Sequence, residues 1–236
     1  MRILLTRPLD QSEQLALILR SNGLDVEICP MMTVHKYSEG PSPDAPFQAI
    51  ILTSANSLRY SDLSAYKKDT LVLTVGDKTA KEAQHIGFKN VISACGNLEK
   101  LSDTIKEFLK PQNGPLLYIR GKHIAGPLCE DLNSAGFEVI EQVVYEMRPV
   151  RVLDKKIAKL ILNGDIDFIP FYSQRSAFIF KELIERAKLE KSLKLITALA
   201  ISPNVSHTIV GMPWKNILIS DHPTQSDLFK LIAIDL

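Results

Sequence analysis

The chain carries an internal duplication, and one copy is spliced into the other. Ile3-Leu-Leu-Thr-Arg7 leads through a helix-like stretch to Asn22-Gly23-Leu-Asp-Val26. Leu116-Leu-Tyr-Ile-Arg120 leads likewise to Ala135-Gly136-Phe-Glu-Val139. Arg7 to Arg120 and Gly23 to Gly136 are both steps of 113, so strand, helix and closing glycine keep register. Ala49-Ile-Ile-Leu-Thr-Ser54, Val72-Leu-Thr-Val-Gly76 and Asn90-Val-Ile-Ser93 lie between these units. Phe168-Ile-Pro-Phe-Tyr-Ser173, Ala198-Leu-Ala-Ile-Ser202 and Asn216-Ile-Leu-Ile-Ser220 follow the second. Such a duplication predicts two similar α/β lobes with a ligand cleft between them.

The apolar runs are short, continuous and rich in Ile, Leu and Val, as strands of a parallel sheet covered on both faces are. Helical patterns separate them. In the first, Asp10 with Glu13 reads as a cap, Leu15, Ile18 and Leu19 as the buried stripe, and Asn22-Gly23 as the stop. Its twin buries Leu128 and Leu132 and stops at Gly136. Arg175 to Lys188, with Phe178, Leu183 and Ile184, reads as another covering helix. The predicted fold is two flavodoxin-like lobes, each a five-stranded parallel sheet of order 2-1-3-4-5.

Two wirings fit: continuous lobes meeting near Pro111, or interleaved lobes. Thr33-Val-His-Lys-Tyr37 and Val143-Val-Tyr-Glu-Met147 each follow a second strand and alternate in type as exposed ribbons do. They favour interleaving. Residues 1–33 plus 150–236 then form the first, discontinuous lobe and 38–146 the second. Strands near 33–38 and 145–150 make a two-stranded linker.

A formal charge of +1 argues against a nucleic-acid binder working by bulk phosphate neutralisation. No apolar run reaches the roughly 18 residues of a membrane span, and the N-terminus lacks the pattern of a signal peptide. A cytoplasmic protein is expected. Cys29, Cys95 and Cys129 show no C-x-x-C spacing, and the five histidines form no pair at metal-binding spacing, so reduced thiols and no metal site are expected.

Ligands of open parallel sheets bind at the C-terminal strand edge. The turns there are Arg7-Pro8, Thr53-Ser54-Ala-Asn56, Gly76-Asp-Lys-Thr79, Arg120-Gly121-Lys122, Ser173-Gln-Arg-Ser176 and Ser202-Pro-Asn204. Hydroxyls, helix-start N–H groups and a few cations suit the holding of anions; each Ser or Thr singly reads equally as an N-cap. The G-x-G-x-x-G, phosphate-loop and G-x-S-x-G signatures are missing. Carboxylates lie along helices rather than at the turns, against paired acid–base work. Tyr145 is a candidate proton donor, with a buried interface tyrosine as the alternative.

Taken in order, these blocks resemble the uroporphyrinogen-III synthase family. The resemblance rests on Leu4-Leu5-Thr6-Arg7-Pro8, Leu52-Thr53-Ser54, Val75-Gly76-Asp-Lys-Thr79-Ala80, Cys95-Gly96-Asn97 with Lys100-Leu101, Arg120-Gly121, Val144-Tyr145, Phe171-Tyr172-Ser173 and Pro223-Thr224. It implies interleaved lobes and a lyase that closes hydroxymethylbilane, a linear tetrapyrrole with eight carboxylates, into uroporphyrinogen III with ring D inverted and water lost. It implies no cofactor, no metal, no partner beyond that small molecule, and a monomer. Tyr145 matches the family tyrosine that assists hydroxyl departure; Thr79 matches a threonine of the substrate cleft. Arg7, Thr53, Ser54, Asn56, Gly76, Arg120, Gly121, Lys122, Ser173, Ser202 and Thr224 are the further expected substrate contacts. One turn departs: where the family often has Ile-Gly-x-x-Thr-Ala, this chain has Ile201-Ser202-Pro-Asn-Val-Ser206, leaving donors to the backbone or Ser206. That departure keeps open a second reading, a non-enzymatic two-lobed sensor of an anionic tetrapyrrole or similar molecule.

Overall fold

The structure is a computed structural model that describes residues 1–37, 46–64, 66–124 and 126–234. In chain order the elements are β1 (Arg2–Leu5), α1 (Leu9–Ser21), β2 (Asp25–Ile28), β3 (Met32–Lys36), β4 (Ala49–Leu52), α2 (Ala55–Tyr60), β5 (Leu71–Thr74), α3 (Asp77–His85), β6 (Val91–Ser93), α4 (Leu98–Phe108), β7 (Leu116–Gly121), α5 (Leu128–Ser134), β8 (Val139–Pro149), α6 (Lys155–Asn163), β9 (Phe168–Phe171), α7 (Gln174–Ala187), β10 (Thr197–Ala200), α8 (Pro203–Ile209), β11 (Asn216–Ile219) and α9 (Gln225–Lys230).

By contacts the chain divides into two compact units, Met1–Thr33 with Arg148–Leu236, and Val34–Met147. The first holds a sheet of order β11-β10-β9-β1-β2, the second a sheet of order β3-β8-β7-β4-β5-β6. The wiring is interleaved: β1 pairs in parallel with β9, while β7 pairs in parallel with β4. The second sheet has six strands among the described residues rather than five, because β3 lies beside β8 at its edge. Residue 31 faces 150 (Val150 N–H to Met31 O, 3.0 Å) and 37 faces 144 (Tyr37 N–H to Val144 O, 2.9 Å), so this ribbon runs antiparallel. The expected boundary at residue 38 lies outside the described residues.

The duplication is preserved bond for bond. Ile3 pairs with Val26 and Leu116 with Val139, each partner shifted by 113. Both first helices end through Gly23 and Gly136 at φ +77° and +89°, a left-handed turn that favours glycine. There Leu24 N–H reaches Leu19 O at 3.2 Å, and Phe137 N–H reaches Leu132 O at 3.1 Å. Later blocks keep their own offset: Ala94 N–H bonds Thr74 O as Ser220 N–H bonds Ala200 O, both 2.9 Å and 126 residues apart.

The central strands are apolar on both faces because helices cover both. Ile3 and Leu5 pack into one cluster of the first unit and Leu4 into the other. In the second unit Ile50 and Leu52 face one cluster, Ala49 and Ile51 the other. At roughly 1.5–3 kcal/mol per fully buried large aliphatic side chain, these layers hold the sheets. Three expectations about helices need correcting. Pro8, not Asp10, stands at the α1 N-cap, its φ of −49° preset by the ring, and Asp10 falls in the first turn. Ile18 is 46% exposed and Phe178 54%; Leu15 and Leu19 carry the α1 stripe, and Ala177, Phe180, Leu183 and Ile184 that of α7.

Candidate active site

The expected contacts fall at the C-terminal edges of the two sheets, in the turns entering α1, α2, α3, α7, α8 and α9 and after β7. In the first unit Arg7 follows β1. Its guanidinium lies 4.4 Å from the centroid of the Tyr172 ring. Its Nε and Nη2 donate to Gln11 Oε1 at 2.9 and 2.6 Å, and Nη1 donates to Gln225 Oε1 at 3.0 Å. Neutral amides and an aromatic face thus fix the cation without neutralising it, and no ion pair to Arg7 occurs among the described residues. Beneath it the Tyr172 hydroxyl is buried, and burial raises its pKa well above the usual phenol value while the Arg7 charge opposes that shift. The sequence named Tyr172 only within the Phe171-Tyr172-Ser173 block and not as a site residue.

Arg120, the second-copy counterpart of Arg7, is bound differently. It pairs with Glu141, and its Nη1 donates to Gly121 O at 3.0 Å and Lys122 O at 3.2 Å. Most of the fork is spent inside the protein. Register carried a signal for this: β7 pairs Tyr118 with Glu141, which puts Glu141 diagonal to Arg120 on one face. Lys122 pairs with Glu146 at 3.1 Å, but its side chain is 53% exposed. Its partner Glu146 is only 12% exposed and also accepts from the Tyr37 hydroxyl at 2.8 Å.

Several hydroxyls are N-caps. Ser54 Oγ accepts from Asn56 N–H at 3.2 Å, with Asn56 partly buried in the first turn of α2. Ser173 Oγ accepts from Ser176 N–H at 3.1 Å. Thr224 Oγ1 donates to Asp227 Oδ2 at 2.7 Å and accepts from Asp227 N–H at 3.1 Å, a closed local cap. Thr53 Oγ1 lies 3.2 Å from the Tyr118 hydroxyl. Ser206 Oγ donates to Pro203 O at 2.8 Å, so it is not the spare donor that the altered turn was expected to supply.

That turn superposes by hydrogen bonding on its counterpart. Thr79 and Ala80 N–H reach Gly76 O at 3.1 and 3.2 Å, as Val205 and Ser206 N–H reach Ser202 O at the same distances. Gly76 and Thr79 therefore correspond to Ser202 and Val205. A Cβ at Gly76 would meet nothing within 4 Å, so the serine is sterically free, and Ser202 makes no side-chain cap bond. Thr79 is only 7% exposed.

Charge separates the helix starts further. The first turns of α2, α7 and α8 hold no acidic residue, whereas α3 opens with Asp77. Hydrogen bonds from Ser93 and Cys95 hold the Asp77 carboxyl below its usual pKa, so it stays anionic. An anion is favoured at a helix N-terminus by about 0.3–1 kcal/mol; at α3 the protein's own carboxylate already takes that place.

Tyr145 lies on β8, 9% exposed, its ring 5.2 Å from that of Tyr60. Its hydroxyl makes no hydrogen bond among the described residues. Among the described residues no group of three or more His, Cys, Asp or Glu side chains could hold a metal ion, and no helix is long and apolar enough to cross a membrane.

Known proteins resemble this chain along its whole length. A uroporphyrinogen-III synthetase from Helicobacter pylori shares its fold at a TM-score of 0.63, with 19% identity and 98% of each chain covered. A mutant uroporphyrinogen III synthase from the extremely thermophilic bacterium Thermus thermophilus does so at 0.54, with 17% identity over 98% of this chain and 97% of its own. No curated protein sequence matches. The family model described as Uroporphyrinogen-III synthase HemD matches residues 13–230. The α/β fold with parallel sheets, the spliced duplication and a family match spanning nearly the whole chain lead to one assignment: this chain belongs to the uroporphyrinogen-III synthase family, enzymes of haem biosynthesis that cyclise a linear tetrapyrrole.

Proposed function

We propose that the chain closes hydroxymethylbilane with inversion of ring D, acting as a cytoplasmic monomer through the residues described above. The match to the family model over residues 13–230 carries this reading. We read the two sheets as two flavodoxin-like domains of order 2-1-3-4-5, joined by the β3–β8 ribbon as a two-stranded linker.

The substrate brings its own electrons. A pyrrole nitrogen pushes out the terminal hydroxyl, which takes a proton and leaves as water. The substituted carbon of ring D attacks the resulting cation to give a spiro intermediate, which fragments and re-closes with that ring turned over. The protein therefore has to position the two ends and help one leaving group. The Tyr145 phenol is the proton donor in this reading, and its hydroxyl, unpaired among the described residues, supports that. Arg7, Lys122, the Ser202 hydroxyl and the acid-free starts of α2, α7 and α8, with Thr53, Ser54, Asn56 and Ser173, supply the carboxylate contacts. Arg120, Gly76, Thr79 and Thr224 shape the same turns.

The sensor reading differs in one outcome. Supplied with hydroxymethylbilane, the protein should yield type III uroporphyrinogen, separated from type I after oxidation to the porphyrins. Binding of tetrapyrrole with only the spontaneous type I ring formed would overturn the assignment of activity.

A further inference from the structure

We propose that Gly121 and the strand irregularity beside it form a seat that positions the Tyr145 hydroxyl; the inference rests on the reading of Tyr145 as proton donor. Along β7 and β8 the pairs Leu116–Val139 to Arg120–Val143 keep a difference of 23, but Gly121 pairs with Tyr145, a difference of 24. Val144 is the extra residue. Strand side chains alternate faces, so a regular β8 would put Val144 and Tyr145 on opposite sides. Instead both lie in the cluster built on Ile50, Leu52, Leu117 and Ile119, and Met147 packs there too. The slip rotates Tyr145 onto the face that Val144 already occupies. Bulges re-aim side chains in this way.

Gly121 makes the landing possible. A methyl group on its Cα would lie 2.7 Å from Cζ, 2.9 Å from the hydroxyl oxygen and 3.0 Å from Cε1 of Tyr145. Its φ is not positive, so the need for glycine is closeness of approach and not backbone conformation. Lys122 N–H bonds Tyr145 O at 2.8 Å and locks the shifted register. Tyr60 bounds the ring on another side. The first copy has no such seat: by the offset of 113, Pro8 stands where Gly121 does. Gly121 is then a positioning residue, not a substrate contact.

A double-mutant cycle tests this, with kcat and KM on hydroxymethylbilane and thermal unfolding read for each protein. Gly121→Ala should lower kcat about 10-fold or more, since misplacement by about 1 Å costs up to about 10²-fold, with KM held within about 2-fold. On the Tyr145→Phe background the same alanine should cost no further kcat, because the hydroxyl it displaces is already gone. A raised KM at unchanged kcat would make Gly121 a substrate contact and overturn the proposal. An equal kcat loss on both backgrounds would also overturn it. Tyr145→Phe with full kcat would remove the donor reading and the role of the seat with it. The steric half is read separately: the alanine should lower Tm beside Tyr145 but not beside Tyr145→Leu. If Gly121→Ala does not fold, recovery of a folded protein in Gly121→Ala/Tyr145→Leu supports the seat, and failure to recover overturns it.

Discussion

Arg7 and Arg120 occupy one position of the duplicated frame and have different duties. Strand register, helix stop and hydrogen bonds repeat around them at a step of 113. Yet Arg7 rests on Tyr172 and two glutamines, while Arg120 is closed onto Glu141 and the carbonyls of its own turn. The difference comes from a neighbouring residue: Glu141 stands where the first copy has Ile28, 141 less 113. Duplication copies a backbone scaffold; the side chains facing each turn decide whether a repeated cation is held by neutral groups or closed onto a carboxylate.

The comparison breaks most readily at the proposed proton donor. Tyr145→Phe should lower kcat roughly 10²-fold, the low end of general-acid assistance, with product affinity nearly unchanged. Met32→Leu, at the first-copy counterpart (145 less 113), should leave kcat alone. Equal losses would mean that both copies take part in the chemistry.

Next come the arginines. A hydrogen-bonded contact to a charged group is worth about 1.5–3 kcal/mol, so Arg7→Ala should raise KM roughly 10- to 100-fold. Arg120→Ala should raise KM by less and lower Tm instead, because it removes the contacts that tie the turn's carbonyls and Glu141 together. Kinetics alongside thermal unfolding tell the two apart, and a larger KM effect at Arg120 would reverse the contrast.

The altered turn should matter less. Ser202→Gly removes a hydroxyl with no cap bond and should raise KM by about 2- to 5-fold, the span of one modest hydrogen bond. Gly76→Ser, with open space at its Cβ, should leave Tm within about 1 °C, a surface-sized change.

The smallest effect on activity is expected from the thiols, with a clear pH order. Burial raises the pKa of Cys29 to about 11, and burial with Glu141 raises Cys129 to about 12. Only thiolate attacks an alkylating agent. At pH 8 iodoacetamide should therefore label the exposed Cys95 first, with little loss of activity, and Cys29 and Cys129 only as the pH rises. Mass spectrometry of the labelled peptides checks the order.

The fold was legible because a repeated period and continuous apolar runs are properties of the chain itself. The interleaved pairing of β1 with β9 followed from them, as did the two glycine helix stops. Helix surfaces were less legible: Phe178 fits an apolar pattern but is exposed, because the buried face of α7 runs through Ala177, Phe180 and Ile184 at helical spacing. The site was half legible. Turn chemistry nominated Arg7 and the serines, and the lobe-connecting segment Tyr145, but sequence does not say which hydroxyl a helix end consumes. Thr224 and Ser206 are used up within three residues of themselves. Nor does it show a one-residue slip such as that at Val144, which exists only once two strands are aligned.

The splice also sets an order of events during synthesis. The central strand β1 finds its second neighbour, β9, only when Phe168 emerges, 165 residues after Ile3. At about 5–20 residues per second the ribosome takes roughly 10–30 s to reach it. The inserted unit, Val34–Met147, leaves the tunnel complete during that interval and is free to fold. Meanwhile the nascent N-terminus carries a strand with one open edge, the kind of surface on which chaperones act.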